Sequence, residues 1–185
     1  MTPANSAALT SAEFGTLFDT FQQTVVRLEA LPAYAVGGAE ELRLQAWRDG
    51  RPRPERSVRT DPWLARIALS TITAGKQWSR VRVVDDPLTD YQRYQFASHI
   101  EAQAAGEQVR IARRGDVGDV GPDVWLFDAD SPNAHAVVMH YTPAGSVDRR
   151  ELVTDRAAVE HLAARIRSVA ATAVSLNEFL AVVHA

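Results

Sequence analysis

Apolar residues near the start of the chain recur at helical spacing. Phe14, Leu17, Phe18, Phe21, Val25 and Leu28 share one face of a 3.6-residue period, and Thr10 with Glu13 ahead of them has the form of a capping box. The pattern predicts a first helix from about Ser11 to Glu29, with its phenylalanine stripe as core packing rather than a ligand slot. Leu31-Pro32 ends it. Tyr34 to Val36 then reads as a short extended piece, Glu40 to Asp49 as a second helix stopped by Gly50, and the Pro- and Arg-rich stretch 51–56 as an exposed loop. Asp61-Pro62 supplies an N-cap and a first-turn proline for a third helix that carries Trp63, Leu64, Ile67, Ala68 and Ile72 and ends at Gly75.

The period then changes to two. From Trp78 to Val84, Trp78, Arg80 and Arg82 point one way and Val81 and Val83 the other, which predicts a strand with two arginines on one face. A second capping pair, Thr89 and Gln92, opens a helix through Tyr91, Tyr94, Phe96 and Ile100 to Gly106. Val109 and Ile111 mark a strand, Gly115 to Pro122 a mobile loop, and Val124 to Asp128 a buried strand ended by carboxylates. Ala134 to Tyr141 and Val147 to Val153 form a hairpin about Pro143-Ala-Gly145. Thr154-Asp155 caps a last helix from Arg156 to about Ala173, and Leu176, Phe179, Leu180 and Val183 continue helically to the end. This order predicts an α+β fold, with N-terminal helices packed on a mixed, mostly antiparallel β-sheet and a C-terminal helix. Residues 1–10 read as a flexible N-terminus and 11–185 as a single domain.

Composition narrows the chemistry. With 46% hydrophobic and 23% charged residues and a net charge of -3, the chain has the balance of a globular domain and no bulk field toward nucleic acid. It has no cysteine, so disulfides, thiolate metal sites and cysteine nucleophiles are excluded. Met1 to Thr10 lacks the basic and apolar runs of a secretory signal, and no stretch of about 18 uncharged apolar residues exists, so the expected location is the cytoplasm, away from membranes. Lys76 is the only lysine among the 20 basic residues, which leaves one position for Schiff-base or phosphate-loop lysine chemistry.

The histidines do not assemble into a site by spacing. His135 and His140 lie five apart on one strand and face opposite sides of the sheet, His99 and His161 have no second ligand one helical turn away, and His184 is terminal. No serine-elbow, phosphate-loop or dinucleotide-binding glycine pattern is present. No metal and no cofactor is expected. Asp85, Asp86, Asp90, Asp128 and Asp130 stand at strand or helix ends, where capping explains them as well as a magnesium site would.

The densest polar cluster is Arg80, Arg82, Asp90, Tyr91, Arg93, Tyr94 and Gln95, with Trp125, Phe127 and Asp128 of a later strand expected to line the same surface. Forked arginine donors beside a helix N-terminus suit a phosphate or carboxylate, and a structural Arg–Asp network is the alternative. The ligand-binding candidates are therefore Arg80, Arg82, Asp90, Tyr91, Arg93, Gln95, Trp125 and Asp128.

The motifs Leu17-Phe-Asp-Thr-Phe21, Arg27-Leu-Glu29, Trp63-Leu64, Arg80-Val-Arg-Val-Val84, Pro87-Leu-Thr-Asp-Tyr-Gln-Arg-Tyr94, Ala105-Gly-Glu107 and Val124-Trp-Leu-Phe-Asp128 resemble those of an actinobacterial domain-of-unknown-function family. The sequence departs from that family at Gln95, where glutamate is usual, and in the last helix, where a tryptophan after Arg165 or Arg167 is missing. The resemblance implies a small protein encoded beside a helix-turn-helix regulator. The strand, helix, strand and hairpin order also looks like half of a phospholipase-D-like domain of the kind found in sensor modules, without its His-x-Lys pair. The leading expectation is a non-catalytic regulatory or ligand-sensing protein that acts with a helix-turn-helix regulator on a small anionic ligand, with no direct nucleic-acid contact. The alternative is a pathway enzyme whose arginines hold an acidic substrate while Asp90, Tyr91 or Asp128 moves protons. A third is an oligomerisation module with apolar surface from Val169 to Val183.

Overall fold

The computed structural model describes residues 6–183. Eight strands, β1 (Ser6–Ala8), β2 (Thr24–Glu29), β3 (Gln77–Val84), β4 (Glu107–Arg113), β5 (Asp123–Phe127), β6 (His135–Tyr141), β7 (Val147–Val153) and β8 (Val174–Ser175), form one sheet in the order β1-β7-β6-β5-β2-β3-β4-β8. The β2–β3 and β3–β4 pairs are parallel and the remaining neighbours antiparallel, so the sheet is mixed and mostly antiparallel. The helices are α1 (Ser11–Thr20), α2 (Gly38–Arg48), α3 (Pro62–Ala74), α4 (Asp90–Ala104), the short α5 (Arg114–Val117), α6 (Arg156–Thr172) and α7 (Leu176–Val183). The α+β class follows. His184 lies outside the described residues.

The first helix is shorter than its apolar spacing predicts. Thr10 and Glu13 do form the capping box, but α1 stops at Thr20, and 24–29 is the strand β2 in the middle of the sheet. Two effects end the helix. Thr24, Val25 and Val26 are β-branched and favour the pleated backbone. The Asp128 carboxylate also takes the backbone N–H groups of Gln22, Gln23 and Thr24 at 2.8, 2.7 and 3.0 Å. Asp128 is buried with φ of 50°, a left-handed conformation that Asp tolerates better than most residues. Its substitution by alanine leaves three donors unpaired, and urea melts should show a loss of about 2 kcal/mol.

The other expected elements differ in detail. Tyr34 to Val36 pairs with no strand, and is held by Ala35 N–H donating to Gly145 O at 3.0 Å. Gly145 (φ 82°) has to be glycine for this contact, because a Cβ there would lie 3.0 Å from Ala33 O and Ala35 N. Residues 115–122, expected as a mobile loop, begin inside α5 and bury Val120. Of the segment expected to be a flexible terminus, 6–8 adds the edge strand β1 to β7.

Both faces of the sheet are covered. Leu28, Val81, Val83, Val124, Leu126 and Ala136 pack against Val159, Ala163, Ile166 and Val169 of α6. The opposite face carries Val25, Trp78, Trp125, Phe127 and Val137, packed under Phe18 and Phe21 and under Leu64 and Ile67 of α3. On that same face, by alternation along paired strands, stand Arg27 and Glu29 of β2, Arg80 and Arg82 of β3, and Glu107 of β4. A charged row therefore lies across the middle of a layer that is otherwise apolar.

Candidate functional site

The charged row is roofed by α4. Its Thr89 capping box fixes the start of the helix, and Tyr91, Tyr94, Gln95, His99 and Ala102, spaced by three or four, turn inward. Arg80 reaches Glu29 at 2.6 Å and Glu107 at 3.0 Å, and Arg27 reaches the other Glu29 oxygen at 2.9 Å. Arg82, fully buried, donates its Nε to Gln95 Oε1 at 2.8 Å and its Nη1 to Val83 O at 2.9 Å, and its guanidinium lies 5.5 Å from the Tyr34 ring centre. Gln95 Nε2 turns back to Glu29 at 3.3 Å. Asp123 closes the row, accepting from Ala30 N–H at 2.8 Å and from the Tyr34 hydroxyl at 2.5 Å.

The electrostatics follow from dryness and proximity. Burial pushes the Glu29 carboxyl up, but Arg27, Arg80 and Arg82 outweigh it and hold the group far below the usual carboxylate range. Burial, with Arg80 beside it, depresses His99 well below the ordinary imidazole value, so His99 is neutral at physiological pH. Burial raises the Tyr34, Tyr91 and Tyr94 phenols and pushes Tyr141 up to about 12, so none of them is a phenolate.

Against this network lies a cleft of about 670 Å³. Arg27, Glu29 and Arg80 form its charged floor and Tyr91, Tyr94, Gln95 and His99 one wall. Tyr34, Trp63 and Tyr141 supply further aromatic lining, and α2 with residues 54–56 makes the rim. Rim charges are matched as well: Arg43 pairs with Glu101 at 2.5 Å and Arg56 with Asp61 at 2.5 Å. Three polar atoms of cleft-lining residues have no hydrogen-bond partner, Arg27 Nε, Arg43 Nε and His99 Nε2.

Of the residues singled out in the sequence, Arg80, Arg82, Tyr91 and Gln95 meet at this network and cleft. Asp90 and Arg93 do not join them; they face solvent and pair with each other at 3.1 Å. Trp125 packs in the aromatic layer with Arg27 4.9 Å from its ring centre, and Asp128 is the cap described above. Asp85 holds Gln92 and Arg114, at 2.7 and 2.6 Å. His135 stacks on Phe127 with ring centres 4.9 Å apart, while His140 bonds Glu151 at 2.8 Å on the opposite face. Among the described residues no group of three or more His, Cys, Asp or Glu side chains is placed to hold a metal ion. Along the C-terminal segment, Val169, Leu176 and Phe179 are buried in the chain's own core, leaving Val174, Val182 and Val183 exposed. Tyr34, Asp123 and Tyr141 are site residues that the sequence pattern does not bring out, while Arg27 and Glu29 stand out there only within a family motif and His99 only as a histidine without a companion.

These features define an α+β protein with an aromatic cleft set on a buried ion network. The chain belongs to the domain-of-unknown-function family DUF6879, whose model matches residues 12–181. No curated protein sequence matches it.

Proposed function

We propose that this is a non-catalytic, ligand-sensing regulatory protein that works with a helix-turn-helix regulator. The observation that carries the reading is the cleft, large enough for a small molecule and lined by aromatic rings over an ion network that leaves a few polar atoms open. The partner half rests on the resemblance to small actinobacterial proteins encoded beside such regulators, and on the likeness to the phospholipase-D-like half domains of sensor modules. The enzyme alternative draws no support from the groups it relies on. Asp90 is exposed, Asp128 is occupied by three backbone N–H groups, and Tyr91 is a buried phenol with its proton held by burial and Glu40. Titration calorimetry with the regulator encoded beside the gene is expected to give saturable binding on the order of micromolar. A flat titration with a folded regulator would remove the partner from the reading.

A further inference from the structure

His99 is the group in the cleft whose chemistry is unused. It is 3% exposed, projects from the inward face of α4, and its Nε2 has no hydrogen-bond partner. A buried polar atom left unpaired is unfavourable, so such an atom on a cavity wall marks a place for a ligand's hydrogen-bonding group. Arg27 Nε offers a second open position in the same cleft.

The surrounding charges decide what kind of ligand group fits. Arg27, Arg80 and Arg82 face Glu29, Glu107 and Asp123, three cations against three carboxylates, with both Asp123 oxygens accepting hydrogen bonds. The imidazole itself is neutral. An anion brought to this floor meets Glu29 and Asp123, and a cation meets the arginines; Glu40, a lining carboxylate on α2 that forms no ion pair among the described residues, accepts the Tyr91 hydroxyl at 3.4 Å. Only an uncharged group can hydrogen-bond at the floor without an uncompensated loss of hydration. The remaining lining, Tyr34, Trp63, Tyr91, Tyr94 and Tyr141, presents ring faces and edges suited to a flat apolar body.

We infer that the cleft binds an uncharged aromatic molecule bearing a hydroxyl or carbonyl group, with that group hydrogen-bonded to His99 Nε2 and the ring among the tyrosines. The inference rests on the ligand-sensing reading and gives it a ligand class, replacing the anion expected from the arginine pattern.

Three probes sharing one ring separate the possibilities: phenol, benzoate and benzylamine, titrated into the full chain with binding followed by amide chemical shifts. Phenol is expected to move resonances of α4 and residues 34–36, with affinity at least about tenfold above either charged probe, the factor a single well-placed hydrogen bond supplies. His99→Phe should weaken phenol by about tenfold, and His99→Gln, which keeps a polar atom, should restore part of the loss. The probe series in the unaltered protein stands even if a variant fails to fold. Benzoate or benzylamine binding the cleft as well as phenol overturns the uncharged-ligand assignment and leaves the sensing reading intact. Equal phenol affinity in a folded His99→Phe variant overturns the role of His99. If no probe shifts any cleft resonance, the sensing reading falls with the inference.

Discussion

Replacing Glu29 with alanine is expected to cost about 3–5 kcal/mol, lowering the midpoint of thermal unfolding by roughly 10 °C. Glu29 is 1% exposed and its two oxygens serve Arg80 at 2.6 Å, Arg27 at 2.9 Å and the Gln95 amide at 3.3 Å. Its removal leaves cations in a dry layer with fewer counter-charges, and the resulting penalty exceeds the pair's own net contribution. The pH dependence has a definite sign. In the folded protein the Glu29 carboxyl is held far below its ordinary value of 4.5, so the unfolded chain binds more protons. The stabilisation is therefore complete above about pH 5 and is lost progressively as pH falls below that. His99, depressed below its ordinary 6.5, acts in the same direction at higher pH, since unfolding lets it take up a proton. Unfolding midpoints measured from pH 7 to pH 3 should fall in two stages, and the Glu29→Gln variant should lack the more acidic one. A variant that melts within about 1 kcal/mol of the parent, with unchanged acid dependence, would show that the row is not a coupled network.

Glu29 and Arg27 were hidden by a coincidence of periods. Phe21, Val25 and Leu28 keep helical spacing, yet in β2 Val25 faces the aromatic layer and Leu28 the α6 layer. Read as a strand, 24–29 would have placed Arg27 and Glu29 on one face, ready to pair with Arg80 and Arg82 at the same two-residue interval. The contacts that settle the matter are long-range: Asp128 reaches back more than a hundred residues to stop the helix. Local signals were reliable where caps and period agreed, as at Asp61-Pro62 for α3, Thr89 for α4 and the hairpin about Gly145.

The site itself was half legible. Arg80, Arg82 and Gln95 stand together as their spacing suggests, but Asp90 and Arg93 do not, because each lies one residue, about 100° of rotation, before the inward Tyr91 and Tyr94 and so falls on the outer face of α4. Tyr34 and Tyr141 reach the cleft through the contact of a strandless segment with a hairpin turn, which no local period announces. His99 had no helical companion to mark it. Its significance comes from burial and an open Nε2, both set by what packs around it.

Trp78→Ala should destabilise the protein by about as much as the loss of Glu29, some 3–5 kcal/mol, through a different mechanism and with no acid-dependent component. Trp78 is 1% exposed and centres the aromatic layer, stacked on Phe18 at 5.9 Å and edge-on to Phe21 at 5.1 Å and Trp63 at 5.4 Å. Its indole N–H donates to Ser70 Oγ at 2.8 Å, tying β3 to α3. Truncation opens a cavity among rings that cannot collapse without moving α1 and α3 together, because both helices pack on the same indole. Trp78→Phe refills most of that volume but removes the indole donor to Ser70 Oγ, which keeps its own bond to Arg66 O at 2.8 Å, and should lose about half as much. Trp63 borders both this layer and the cleft, so the alanine variant should also bind phenol more weakly while His99 is intact. Equilibrium urea unfolding, with near-ultraviolet circular dichroism to follow the ring packing, measures both effects. A loss under about 1 kcal/mol with the aromatic signal retained would mean that the layer repacks freely. Trp63 would then be held in the cleft wall by its other contacts, with Phe18 at 4.9 Å and Trp125 at 5.9 Å.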